Sequence, residues 1–512
     1  MHSVIEIHSG VEKAEIKRSA GEYGQSNVVF ATAYELILNN VEVHIASFEA
    51  PAVAKEVSDI IDYGNFRSPI RTRVDELNAG EYGPIPPGSI KAVFHPIDSP
   101  GMVEKLASVA PDQEAMRHGV GFREAWRIYA KIPSVLSSYT PDEYVKGVHS
   151  CVEIIEKVNP DGVVVEKLCA QGFDACAILG KKTMSITPNS FKDTLAQAQP
   201  NGFALWGVAA DCSGYNFPLP WYLIPLNIIL MIRLIIIVIT SPNIKSIEAG
   251  RKNANIPGQY PFFVPYSRDV HYLLPTGREF DLKLPYIPEN VTTCGPLTIP
   301  SYPLSQTDPE LLEWLKKKPT VLINLGSHVY GSKEFNRNIA AAIRILLSKN
   351  PSIQVLWKLK PISPGPDPAI TEILAPIASQ VKLVPWLKAE PISILRSGHI
   401  VASVHHGGAN SYYESVETGT PQLALPCWFD TYDYTEKMEF FGIGVWGSKG
   451  CAPGVEGGEL GNALIKVTED SSIKQKAKEM GELVNNKYGG RRDAARKILE
   501  LVEGEFGLQK KL

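Results

Sequence analysis

A chain of 512 residues is too long for a single hydrophobic core; at roughly 150 residues per domain it divides into two to four domains, of which two large ones is the working count. Hydrophobic residues make up 44% and charged residues 21%, with a formal net charge of -4 interspersed along the sequence, which excludes a disordered chain and leaves no basic footprint for nucleic acid. Seven cysteines, odd in number and without a CxxC pair, suggest neither a zinc site nor a disulfide framework, and a reducing compartment fits them best.

The opening stretch MHSVIEIHSGVEKAEIKRSA is interrupted by charges and lacks the apolar run and cleavage site of a secretory signal, so a cytosolic placement is expected. Apolar runs then alternate with helical patterns, which is the signature of βαβ units and parallel sheets. Helices are expected over 27–38 and 144–157, and buried strands over 41–47 and 162–165. The stretch 221–240, WYLIPLNIILMIRLIIIVIT, is long enough to cross a bilayer. Arg233 near its centre, with Pro225 and Asn227, argues against a simple span. A helix in the membrane interface or at the mouth of a binding cleft is preferred, with an ordinary core helix and a true span as the alternatives.

Between 285 and 319 the composition turns to proline and turn residues, and an interdomain linker is placed at 296–318. The second half repeats the alternation, with strands at 320–325, 354–358, 381–384, 400–404 and 422–425 and helices near 334–348 and 411–418. The expected fold is therefore α/β, with two doubly wound Rossmann-like domains, 1–295 and 319–485, facing each other across a cleft. Ligands in such sheets sit at the carboxyl ends of the strands. The last segment, 481–503, carries a charged helical pattern.

The richest segment runs His405-His406-Gly407-Gly408-Ala409-Asn410-Ser411, followed by Glu414, Gly419, Pro421, Pro426 and Asp430. It reads as a strand, a glycine-rich turn and a helix start, where backbone N–H groups approach an anion closely. Asn410, Ser411 and a histidine add side-chain donors, so the arrangement suits a pyrophosphate without a lysine. A glycine turn of this kind is weak evidence alone, but the number of spaced matches is strong. His399, His405 and His406 have no carboxylate or cysteine partner at a convincing spacing, and no metal is expected.

That spacing resembles the signature segment of UDP-dependent glycosyltransferases of the UDP-glucosyl and UDP-glucuronosyl family, which have the two-domain GT-B fold; fungal members carry similar stretches. The resemblance implies that Trp386, beside Leu387, stacks on uracil, that His406, Asn410 and Ser411 contact the diphosphate around Gly408, and that Glu414 binds the ribose hydroxyls. It likewise places Asp430 on sugar hydroxyls, with Thr431 where the family usually has glutamine, and Gly326-Ser327 in a loop that touches the phosphates. The donor is then a UDP-sugar acting as co-substrate, with no separate cofactor. The terminal helix, within 486–512, is expected to cross back to the first domain.

Inverting members use a histidine near the first strand to deprotonate the acceptor, held by an aspartate. Here the corresponding turn is Glu22-Tyr23-Gly24-Gln25, with Tyr23 in the histidine's place, and the partner position carries Glu166. A tyrosine titrating near 10 in solution is a poor base unless strongly activated. His8, at the end of the strand-like VIEI, and His95, in VFHPID, are further candidates, each with a bland reading as a surface or packed histidine. Trp206, Phe217, Trp221 and Tyr222 make the acceptor side aromatic. A lipophilic alcohol, sterol-like, phenolic or another secondary metabolite, is the expected acceptor, and glucose the expected sugar. The rival expectation is a UDP-sugar-binding, membrane-associated protein impaired in catalysis by Tyr23 and Glu166.

Overall fold

The computed structural model describes residues 3–8, 23–49, 69–101, 105, 116–326, 329, 331–360 and 367–506. The first half is built on β1 (Ser3–His8), α1 (Tyr23–Leu38), β2 (Glu42–Phe48), α2 (Pro69–Ala79), β3 (Val93–Ile97), α3 (Pro141–Val158), β4 (Gly162–Glu166), α4 (Ala170–Ile178), β5 (Thr183–Ile186), β6 (Val270–Leu274) and β7 (Val291–Thr293). The strands form one sheet in the order β3-β2-β1-β4-β5-β6-β7, with every pair parallel. Every residue of β4 is buried, which is why GVVVE reads as an unbroken apolar run rather than an alternation. Helix α3 starts at a capping box, where the Thr140 side chain accepts from Glu143 N–H and Glu143 accepts from Thr140 N–H, and it stops at Asn159 in the left-handed region. Its buried residues Tyr144, Val148, Cys151 and Ile155 repeat at helical spacing and face the sheet and the neighbouring helices.

Two long helices stand between β5 and β6 in the chain: α5 (Ile224–Thr240) and α6 (Pro242–Asn253). Asn227 and Leu230 anchor the inner face of α5; the Asn227 side chain donates to Leu205 and Val208 carbonyls and accepts from Ala210 N–H. The outer face carries Leu226, Ile229, Ile232, Ile235, Ile236 and Ile239, and Ile239 is 56% exposed. The reading of 221–240 as an ordinary core helix is thereby corrected, because its longest apolar side chains point to solvent. Arg233 turns away from that stripe: its guanidinium lies 3.8 Å over the Trp126 ring and donates to the Trp126 carbonyl.

The second half contains β8 (Thr320–Ile323), α7 (Lys333–Lys349), β9 (Gln354–Lys358), β10 (Val381–Val384), β11 (Ile400–His405), α8 (Ala409–Thr418), β12 (Gln422–Ala424), α9 (Thr431–Phe441), β13 (Gly444–Trp446), α10 (Gly457–Glu469) and α11 (Ser471–Lys487). Its sheet is also parallel throughout, ordered β10-β9-β8-β11-β12-β13. The proline-rich segment expected to be a linker is partly docked: helices Leu304–Thr307 and Pro309–Leu315 bury Leu304, Leu311 and Leu315 with Leu322 and Leu356 of the second sheet. The final helix, α12 (Arg491–Leu501), returns to the first half. There Ala494, Ala495, Ile498 and Leu501 join the core under α1, and Arg491 pairs with Glu35 at 2.7 Å.

Candidate active site

Strand β11 delivers a chain that must turn sharply to enter α8, and the turn is made by glycines for steric reasons. Gly407 has φ +82°, and a Cβ there would lie 2.5 Å from the Thr431 carbonyl oxygen. A Cβ on Gly408 would meet His406 Nε2 at 2.5 Å, and one on Gly326, at φ +81°, would meet His406 Cε1 at 2.8 Å. The His406 imidazole is therefore wedged between the loop after β8 and the start of α8, with Trp428 beside it at 6.1 Å between ring centres. Asn410, Ser411 and Glu414 follow on the first turns of α8; Asn410 and Glu414 line a small cavity between the halves, opposite Asn27, Val28 and Thr298. Ser327 lies outside the described residues.

His405, one residue earlier, serves the scaffold. Gly407 N–H donates to its Nδ1 at 3.0 Å, so the ring proton sits on Nε2 and goes to Gln422 Oε1, also at 3.0 Å. Burial pushes its pKa down to about 4, so the ring is neutral.

Trp386 follows β10, and Leu387 beside it is buried in the core of the second half. The Lys358 ammonium, at the carboxyl end of β9, lies 4.1 Å from the centre of the Trp386 ring and donates to the Gly326 carbonyl at 3.0 Å. Burial and the nearby Lys360 pull Lys358 down to about 7. Sequence reasoning passed over this lysine, although a charged residue closing the buried strand QVLWK was a usable signal. Burial and the neighbouring Glu390 and Glu417 push the Glu414 carboxyl up to about 8.

Asp430 immediately precedes α9 and sits in a cluster of charges shared by both halves. Burial, with Asp193 and Asp433 nearby, pushes it up to about 7. Lys192 of the first half bridges Asp211 at 2.8 Å and Asp433 at 2.7 Å. Thr431 is 1% exposed, and its hydroxyl accepts from Cys427 and Trp428 N–H groups and donates to the Trp428 carbonyl. A hydroxyl so engaged holds the loop that precedes α9.

On the acceptor side, His8 and Glu166 end neighbouring parallel strands, and Tyr23 is the first residue of α1. The side chains of His8 and Tyr23, and residues 9–22 between them, lie outside the described residues. Glu166 is buried and accepts from Leu168 N–H at 3.1 Å. His95 is set aside as a base: its Nε2 shares a hydrogen bond with His44 Nδ1 at 2.8 Å within the sheet, and burial pushes it down to about 4. Phe217 crosses to the second half and meets Phe440 edge-on at 5.0 Å, while Trp206, Trp221 and Tyr222 are exposed.

Two parallel α/β domains, the second with a glycine turn between β11 and α8 at its strand ends, define a two-domain, doubly wound architecture. Solved structures share it. A UDP-glucosyltransferase from Polygonum tinctorium aligns over 98% of this chain and 98% of its own at a TM-score of 0.59 and 16% identity. Residues 266–488 match the family described as UDP-glucoronosyl and UDP-glucosyl transferase. The glycosyltransferase sdnJ of Sordaria araneosa is 33% identical over 524 residues, which cover 95% of this chain and 97% of that one. The 2-hydroxyacylsphingosine 1-beta-galactosyltransferase of Rattus norvegicus is 27% identical over 222 residues, 43% of this chain and 37% of its own. The chain belongs to the UDP-glucosyl and UDP-glucuronosyl transferase family and is a UDP-glycosyltransferase with the GT-B fold.

Proposed function

We propose that the enzyme transfers glucose from UDP-glucose, with inversion, to a hydroxyl of a lipophilic small molecule such as a sterol-like or secondary-metabolite alcohol. The observation that carries the donor half of this reading is the His406 imidazole fixed between Gly326 and Gly408 at the start of α8. Trp386 takes the uracil, Glu414 the ribose and Asp430 the sugar hydroxyls, while His406, Asn410 and Ser411 stabilise the departing diphosphate as charge develops on it. The acceptor hydroxyl gives its proton to one of His8, Tyr23 and Glu166, of which His8 and Glu166 close the neighbouring strands β1 and β4. Direct attack on the sugar's anomeric carbon then displaces UDP in a single step.

The lipophilic acceptor is supported by the apolar cluster under α5. Ala125, Tyr129, Ala210, Tyr215 and Leu230 pack together, and Phe429, the neighbour of Asp430, packs against them. A continuous apolar core thus links the outer helix to the loop that carries Asp430. The exposed face of α5, with Trp221 and Tyr222 at its start, docks on the cytosolic face of a membrane and brings such an acceptor to the cleft.

The test is transfer from UDP-glucose to a panel of lipophilic alcohols, with the anomeric configuration of the product read by NMR. A β-glucoside is expected from the α-linked donor, and an α-glucoside would overturn inversion. In the His406→Ala enzyme, UDP affinity falls by about tenfold or more, the loss of one charge-assisted contact.

A further inference from the structure

The loop from Cys427 to Tyr432 carries Asp430, but its own conformation is not held by the second half alone. Phe429 has φ +32°, a left-handed backbone that a bulky side chain adopts only under constraint. The constraint comes from the first half, through His118. The His118 N–H donates to the Cys427 carbonyl at 3.1 Å, and the Tyr432 hydroxyl donates to the His118 carbonyl. The imidazole Nδ1 lies 2.7 Å from the Gly119 carbonyl, which can only accept, so Nδ1 bears the proton. The free lone pair on Nε2 then accepts from Phe429 N–H at 3.0 Å. The ring also packs against Tyr432 at 5.2 Å and edge-on against Phe429 at 6.0 Å.

The segment bearing His118 is itself clamped onto the second half. The Arg117 guanidinium donates to the Pro453 carbonyl at 2.7 Å and lies 5.0 Å over Phe335, and a Cβ on Gly119 would be 3.2 Å from the Ala452 carbonyl. On its other side, Gly121 N–H donates to the Ser213 carbonyl at 2.7 Å. A residue of the acceptor domain therefore supplies the acceptor atom for the one backbone N–H that precedes Asp430.

We propose that His118 is a positioning residue for the donor sugar: contributed by the first half, it locks the 427–432 loop in the strained form that presents Asp430. The inference rests on the reading of Asp430 as the sugar-binding acid. It ties sugar recognition to domain closure, since UDP alone can dock on α8 while the hexose is gripped only when the halves are together.

The test compares the affinities of UDP and UDP-glucose, by calorimetry, for the wild-type protein and for His118→Gln, His118→Asn and Asp430→Asn. Glutamine places an amide oxygen where Nε2 stood and preserves the acceptor; asparagine is one bond too short to reach Phe429 N–H yet remains polar, so both variants are expected to fold. His118→Asn should lower the UDP-glucose affinity about tenfold relative to UDP, the effect of one unmade buried hydrogen bond, and His118→Gln should stay within about twofold of wild type. Equal behaviour of the asparagine and glutamine variants, with Asp430→Asn still losing the sugar preference, would overturn the role of His118 alone. An unchanged preference in Asp430→Asn would instead remove the sugar-loop reading on which it stands.

Discussion

Glu414 and Lys358 flank the proposed nucleotide site with charges set by burial, and burial shifts them in opposite senses. Glu414, raised to about 8, is neutral below that pH, and an ionised carboxylate accepts from ribose hydroxyls more strongly than a neutral one; affinity should therefore rise as pH approaches 8. Lys358, lowered to about 7, is charged only below that pH, and its attraction for a diphosphate beside Gly326 fades as pH climbs past it. UDP affinity measured across this range should pass through a maximum between about pH 7 and 8. Glu414→Gln should flatten the acid limb and Lys358→Met the alkaline limb; a profile indifferent to both substitutions would show that neither group meets the nucleotide. The glycines, His406 and Glu414 were legible because their motif is local, a strand end, a turn and two helical turns. Lys358 and His118 were not, because their partners stand 32 and 311 residues away in the chain. The inward turn of the Thr431 hydroxyl was not legible either, because position alone does not say which way a side chain points.

Among the elements, those with one strong signal were read well. The strands Gln354–Lys358 and Val381–Val384 stand where they were expected, and α1 and α3 cover the expected helices 27–38 and 144–157, each starting three or four residues earlier. β3, β5 and β6 carried weaker signals: VFHPI holds a proline and a histidine, and TMSI is four residues long. Helix α5 is the element whose composition and placement pull apart. Composition alone permitted core, interface or span, and the choice depended on which face its packing partners cover. A stripe of exposed isoleucines on a helix of 17 residues is about 25 Å long, enough to lie along a lipid surface. Replacing Ile232 and Ile236 with aspartate should abolish flotation with phospholipid vesicles while leaving UDP affinity unchanged, because neither side chain touches the donor site. Flotation that survives both substitutions would assign the membrane contact elsewhere.

At the scale of the molecule, the two halves meet through buried charges as well as apolar surface. Lys437 of α9 and Asp281 of the first half pair at 2.9 Å, both without solvent exposure, and Asp281 also accepts from Phe191 N–H, Thr276 and Leu282 N–H. Removing one member of a buried pair typically costs about 3–5 kcal/mol, and the other three donors to Asp281 put Lys437→Met near the lower end. Urea unfolding should show a lower midpoint with the slope little changed; a midpoint within error of wild type would mean that the interface relaxes around the lone carboxylate.

The return of α12 into the core under α1 bears on how this enzyme can be cut and recombined. Ala494, Ile498 and Leu501 fill space against residues made more than 450 positions earlier, such as Val28 and Leu36. During synthesis the first domain therefore waits, partly uncovered, until α12 has left the ribosome, and only then closes its hydrophobic interior. A chimera that grafts a foreign donor domain onto this acceptor domain has to keep residues 491–502 with the acceptor half, joining the parts twice rather than once.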